Sequence, residues 1–122
     1  MKTVAIVGAS ANRSKFGNKA VRAFVHRGYH VVPINPREAQ VEGLTAYPSV
    51  LGVPGPVDLV SLYVPPAVGL RVLDEIAQKG VPEVWINPGA ESADLLGRAR
   101  ALALKTKVAC SILSIGESPS AY

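Results

Sequence analysis

Apolar and polar positions fall in blocks along this chain, and the blocks change period. Val4–Val7 is an unbroken apolar run that stops at Gly8, the pattern of a strand buried on both faces. Asn18–Arg27 then carries Ala20, Val21, Phe24 and Val25 at helical spacing, and Gly28 follows as a C-terminal stop. His30–Ile34 is a second apolar strand, closed by Asn35-Pro36; Pro33 near its end fits only where no ladder donor is needed. Between Ala39 and Pro56 the prolines break regularity, leaving at most a helical turn at Ser49–Gly52. Val57–Val64 reads as a third strand and Glu83–Ile86 as a fourth. Between them Val68, Val72, Leu73, Ile76 and Ala77 form a helical stripe, with Arg71, Asp74, Glu75 and Lys79 opposite and Gly80 as the stop. Ser92 caps a third helix whose apolar face is Leu95, Leu96, Ala99, Leu102 and Ala103. Val108–Ile115 is the last apolar segment, and 116–122 reads as a tail.

Strands that alternate with helices predict a parallel sheet covered on both faces. With right-handed crossovers the expectation is α/β: one Rossmann-like, doubly wound domain over 1–122 with five mainly parallel strands in the order 3-2-1-4-5. Ligands of such sheets sit beyond the carboxyl ends of the strands, where the order reverses. That crevice collects the loops Gly8–Gly17, Asn35–Arg37, Pro65–Ala67 and Asn87–Gly89.

Composition narrows the class. Apolar residues make up 48 % of the chain, yet no run approaches the 18 or so needed to cross a bilayer, and the start does not resemble a signal peptide. The expectation is a cytoplasmic protein without a membrane partner. One cysteine, Cys110, excludes an internal disulfide and a multi-cysteine metal site. The net charge of +4 suits an anionic partner, but scattered basic residues and 6 % aromatics argue against nucleic acid. Nothing in the composition sets an oligomeric state, which leaves room for a homo-oligomer.

The loops carry the chemistry. In "GASANRSKFG", Gly8 allows a sharp turn, and backbone N–H groups, the Ser10 hydroxyl and a helix start can face a phosphate. The usual dinucleotide glycines are missing: Ser10 and Arg13 stand in two of their places. Where an NAD site needs an acid after the second strand, this chain has Asn35-Pro36-Arg37. A guanidinium there suits a phosphomonoester on an adenosine, found on NADP and on coenzyme A. With Arg13 and Lys15 it offers three cations to coenzyme A, which carries roughly four negative charges. "YVPPAVGL" gives a stiff apolar wall or simply a proline-started helix, and "NPGAES" a flexible glycine before a helix N-terminus.

Together "VGAS", "NP" followed by a base, "VPPAVGL" and "NPGAES" resemble the stand-alone CoA-binding proteins, similar to the N-terminal domain of the succinyl-CoA synthetase α subunit. The resemblance runs from Val4 to about Cys110 and does not extend to the ending "SILSIGESPSAY". It implies coenzyme A in the crevice, its diphosphate facing Gly8, Ala9, Ser10, Arg13 and Lys15. It implies further that Asn35, Pro36 and Arg37 hold the adenosine phosphate end, that Val64, Pro65 and Pro66 flank the nucleotide, and that Asn87, Pro88 and Gly89 lie toward the pantetheine.

Catalysis is not expected. His26 lies on the first helix and His30 at the strand end away from the crevice; no triad, carboxylate pair or metal-ligating set assembles at the loops. Cys110 reads as a small buried hydrophobe, with a mixed disulfide to a bound thiol as the reactive alternative. The sequence therefore points to a non-catalytic carrier or sensor of CoA or acyl-CoA, with an NADP-binding reductase-like domain as the alternative.

Overall fold

The computed structural model describes all of residues 1–122. In chain order the elements are β1 (Thr3–Val7), α1 (Phe16–His26), β2 (His30–Ile34), β3 (Gln40–Val41), β4 (Leu44–Thr45), β5 (Leu59–Leu62), α2 (Pro66–Lys79), β6 (Glu83–Ile86), α3 (Ala93–Ala101), β7 (Lys105–Val108) and α4 (Ser111–Ser114). Short 3-10 turns at Val50–Gly52 and Pro119–Ala121 complete them. Five strands form a parallel sheet in the order β2-β1-β5-β6-β7, and β3 pairs antiparallel with β4 beside it.

Alternate residues of each strand feed opposite faces. Val4 and Ile6 pack with Ala20, Val21 and Phe24 of α1 and with Ile112 of α4. Ala5 and Val7 pack on the other side with Leu73 and Ile76 of α2 and Leu95 of α3. Both faces are thus covered, which is why the central strands read as continuous apolar runs.

The doubly wound parallel sheet is as expected, but the order 3-2-1-4-5 is corrected: the third long strand lies beside β1, not beyond β2. Pro33 supplies the reason. Its carbonyl accepts from the Tyr47 N–H at 3.0 Å on the outer side of β2, so the side on which proline lacks a donor faces away from β1. A strand with that gap belongs at a sheet edge, where only the single bridge Ile34–Tyr47 covers it. The last strand is also corrected: Lys105–Val108 is exposed throughout, and the apolar Ser111–Ser114 is a helical turn whose Ile112 seals the core. On α1, Val25 stays 49 % exposed and Ala23 takes the inward place. The start of α2 is Pro66, with Pro65 as its cap, and Ser92 caps α3 by accepting from the Leu95 N–H at 3.0 Å.

Candidate functional site

The winding reverses between β1 and β5: the chain leaves β1 toward β2 and leaves β5 toward β6. At that reversal a cavity of about 850 Å³ opens beyond the carboxyl ends of the strands. Every strand of the sheet contributes to its walls. Asn35 follows β2, Gly8, Ala9, Ser10 and Lys15 follow β1, Val64 and Pro65 follow β5, Asn87, Pro88 and Gly89 follow β6, and Cys110 follows β7.

Two glycines set the first loop. Gly8 has φ +92° and sits so close to β5 that a Cβ there would be 2.9 Å from the Tyr63 carbonyl oxygen. A Cβ on Gly17 would collide with the Gly8 carbonyl oxygen, so the first turn of α1 rests directly on the end of β1. The buried Asn18 amide donates to the Ser10 carbonyl at 2.8 Å, and Ser10 Oγ accepts from the Asn12 N–H at 3.0 Å. The helix begins at an N-cap that is Lys15, with no side chain bonded to its free N–H groups and no acid in the first turn. Helix starts ordinarily favour Ser, Thr, Asp or Asn there, and negative charge nearby. A lysine in that place leaves the positive end of α1 unsatisfied and adjacent to the cavity.

Asn35 holds the second loop. Its Nδ2 donates to the Ala9 carbonyl at 2.7 Å, and its Oδ1 accepts the N–H groups of Arg37 and Glu38 at 2.7 and 3.0 Å. This Asx turn ties the β2 loop to the β1 loop and leaves the Arg37 side chain in solvent. At the other end Asn87 is 2 % exposed. Its Nδ2 donates to Ser61 Oγ and the Leu62 carbonyl, both at 3.0 Å, and its Oδ1 accepts from the Ser111 N–H at 2.8 Å. Ser61 Oγ donates to Ser111 Oγ at 2.7 Å, which closes a buried polar knot under the cavity floor.

Tyr63 stands beside that knot and lines the cavity. Its hydroxyl is buried without a hydrogen-bond partner. Burial pushes the phenol up to about 12; the nearby Ser61 and Ser111 hydroxyls act the other way but are engaged with each other, and Cys110 raises it slightly. Cys110 is a free thiol, half-buried in the cavity wall, and not the fully buried hydrophobe expected.

Of the expected site residues, Arg13, Pro36, Arg37 and Pro66 lie outside the cavity walls. Arg13 is held instead by Glu42, Nε to Oε2 at 3.3 Å. Pro36 and Arg37 follow the Asx turn into solvent, and Pro66 serves as the first residue of α2. Phe16, Gly17, Tyr63, Ala90 and Pro119 are wall residues that sequence reasoning missed, and Cys110, expected there only as the reactive alternative, lines the cavity as well. The first two end the very loop already singled out, and Tyr63 begins "YVPP". Pro119 carries no signal, since the tail reaches the cavity only by folding back on α1. His30 Nδ1 lies 3.2 Å from Thr3 Oγ1, and neither histidine lines the cavity.

A doubly wound sheet with a cationic helix start at its switch point defines a nucleotide-binding type of α/β domain. The profile of the CoA binding domain family matches residues 2–115, and the chain belongs to that family. It is 38 % identical over 84 residues to the α subunit of ADP-forming acetate–CoA ligase II of Pyrococcus furiosus, covering 68 % of this chain and 18 % of that one. The chain spans only 11 to 20 % of the ligase chains it matches. Among solved structures, a conserved hypothetical protein from Pyrococcus furiosus superposes with a TM-score of 0.86 at 33 % identity, over 93 % of this chain and 99 % of that one. An acetyl-coenzyme A synthetase from Ca. Korarchaeum cryptofilum superposes with a TM-score of 0.79 at 30 % identity, over 89 % of this chain and 26 % of that one. No helix is long and apolar enough to cross a membrane.

Proposed function

We propose that residues 1–122 form a single CoA-binding unit that holds coenzyme A or an acyl-CoA without transforming it, as a carrier or sensor. The observation that carries this reading is the order of the loops. Five neighbouring strands, about 4.8 Å apart, spread their carboxyl ends over about 19 Å. Along that line stand Asn35, then the Lys15-capped start of α1, then Val64 and Pro65, then Pro88 and Gly89, and last Cys110. An adenosine, a diphosphate and a pantetheine arm ending in a thiol follow one another in the same sequence.

The residues present fit that group. Lys15 and the unsatisfied helix start would take the diphosphate, and Arg37, solvent-exposed beside Asn35, would reach the 3′-phosphate. No histidine, aspartate or glutamate lines the cavity; the titratable side chains in its walls are Lys15, the Tyr63 phenol pushed up by burial, and the Cys110 thiol. Calorimetric titration tests the reading. CoA is expected to bind, and dephospho-CoA more weakly by roughly 1–3 kcal/mol for the lost charge-assisted bond. NADP binding more tightly than CoA would overturn it, as would turnover of an acyl-CoA that tracks the protein through purification.

A further inference from the structure

Glu42 occupies a position that ordinarily excludes its side chain. Val41 pairs with Leu44, so Glu42-Gly43 is a two-residue hairpin turn with φ of +51° and +76°. Turns of that kind favour Asn-Gly or Gly-Gly, because a residue with a Cβ is strained in the left-handed region. The strain is retained where the carboxylate is put to use. Glu42 Oε2 accepts from Asn18 Nδ2 at 3.0 Å, and the same amide donates to the Ser10 carbonyl of the cavity loop at 2.8 Å. It also pairs with Arg13 Nε at 3.3 Å. Arg22 braces the group from below, donating from Nε to Asn18 Oδ1 at 2.7 Å and from Nη2 to the Arg13 carbonyl at 2.8 Å. The backbone of Arg13 is therefore fixed, while its side chain is 66 % exposed and secured at its tip by one carboxylate. The neighbours on the same loop, Ser10 and Lys15, line the cavity.

We propose that Glu42 competes with the ligand for Arg13, so that a bound phosphate takes the guanidinium over from the carboxylate and Glu42 sets the affinity of the site for polyanions. The inference rests on the CoA reading above. The exchange replaces one anionic partner of Arg13 by another and leaves the Asn18–Ser10 contact in place, because that contact does not pass through Arg13. It also explains why a base on the phosphate-facing loop lies outside the cavity walls in this structure.

The test is calorimetric titration with CoA of four proteins: the unmodified chain, Glu42→Gln, Arg13→Gln and the double variant. Glu42→Gln keeps an oxygen for Asn18 and removes only the charge. It is expected to tighten CoA binding by about two- to fivefold, the range of an exposed ion pair. Arg13→Gln is expected to weaken binding, and Glu42→Gln added to it to change nothing further. A fifth protein, Glu42→Gly, relieves the turn and removes one acceptor of Asn18, whose bond to the Ser10 carbonyl remains; it should tighten binding in the same direction and guards against a folding artefact. Unchanged or weaker binding by Glu42→Gln would overturn the competition, as would equal tightening with and without Arg13, which is a bulk charge effect. Those results leave CoA binding itself intact. Failure of the unmodified chain to bind CoA would overturn the ligand reading, and the competition with it.

Discussion

Gly17 of α1 rests on the carbonyl oxygen of Gly8 with no room for a single added carbon. The helix start and the end of β1 are thereby brought to one point, and the cavity loop is strung between them. The contact does for this chain what the spaced glycines of a dinucleotide fingerprint do elsewhere: it lets a helix N-terminus approach the strand end closely.

Gly17→Ala is therefore expected to push α1 away from β1. Overpacking of this kind costs about 1–3 kcal/mol, to be read as a lower denaturation midpoint. Because the displaced element carries Lys15, CoA affinity should fall as well. A variant with unchanged stability would mean that the helix start has slack, and the close-approach argument would fail.

Asn87→Ala removes both halves of the knot beneath the cavity floor. The Ser111 N–H loses its acceptor, and the Leu62 carbonyl and Ser61 Oγ lose a donor. Only the Ser111 N–H is left without a partner, because the Leu62 carbonyl keeps the Asn87 N–H at 3.3 Å and Ser61 Oγ keeps Ser111 Oγ at 2.7 Å; a loss of about 1–3 kcal/mol is expected in chemical denaturation. Asn87, expected from sequence to lie toward the pantetheine, lines the cavity while its amide is bonded to Ser61, Leu62 and Ser111. A variant that lost ligand affinity at full stability would show instead that the amide meets the ligand.

Much of this was legible in the chain, and the failures have physical causes. The blocks Val4–Val7, His30–Ile34 and Val57–Val64 were readable because burial on both faces removes polar residues. Lys105–Val108 was not: an exposed edge strand has no apolar signature and exists by pairing with β6. Pro33 bears on the strand order as well, since a strand lacking an outward donor belongs at an edge and so leaves only one side of β2 for a neighbour in the main sheet. At the site, small residues and loops were found where they touch the cavity. Arg13 and Arg37 were placed by charge, and charge does not say which partner a long side chain meets. Glu42 gave no sequence signal because it sits in a two-residue hairpin too short to show a period.

Tyr63 gives a prediction in pH. Its phenol is held up to about 12 from an ordinary value of 10.0, chiefly by burial. A group raised in the folded state stabilises fully below its unfolded value, and that contribution is lost as pH rises through the folded one. Stability should therefore drop between pH 10 and 12, by on the order of 2 kcal/mol from this residue. Tyr63→Phe should lessen the drop and, by deleting a buried unpartnered hydroxyl, leave neutral-pH stability equal or up to about 1 kcal/mol higher. A marked loss at neutral pH would show that the hydroxyl has a partner after all.

Under the CoA reading, Lys15 and Arg37 would meet different phosphate ends of the ligand. Lys15 caps α1 and lines the cavity, whereas Arg37 is solvent-exposed beyond the Asn35 turn. Lys15→Ala is expected to weaken CoA and dephospho-CoA alike, by about tenfold, because both retain the diphosphate. Arg37→Glu is expected to weaken CoA while leaving dephospho-CoA nearly unaffected, since only the 3′-phosphate would meet the reversed charge. Both parent affinities should fall as salt rises; the fall should be shallower for both ligands after Lys15→Ala and for CoA alone after Arg37→Glu. Calorimetry with both ligands against both variants reads all of this in one set of titrations. If Arg37→Glu weakened the two ligands equally, the reversed charge would be acting on the diphosphate they share, and Arg37 would not meet the 3′-phosphate.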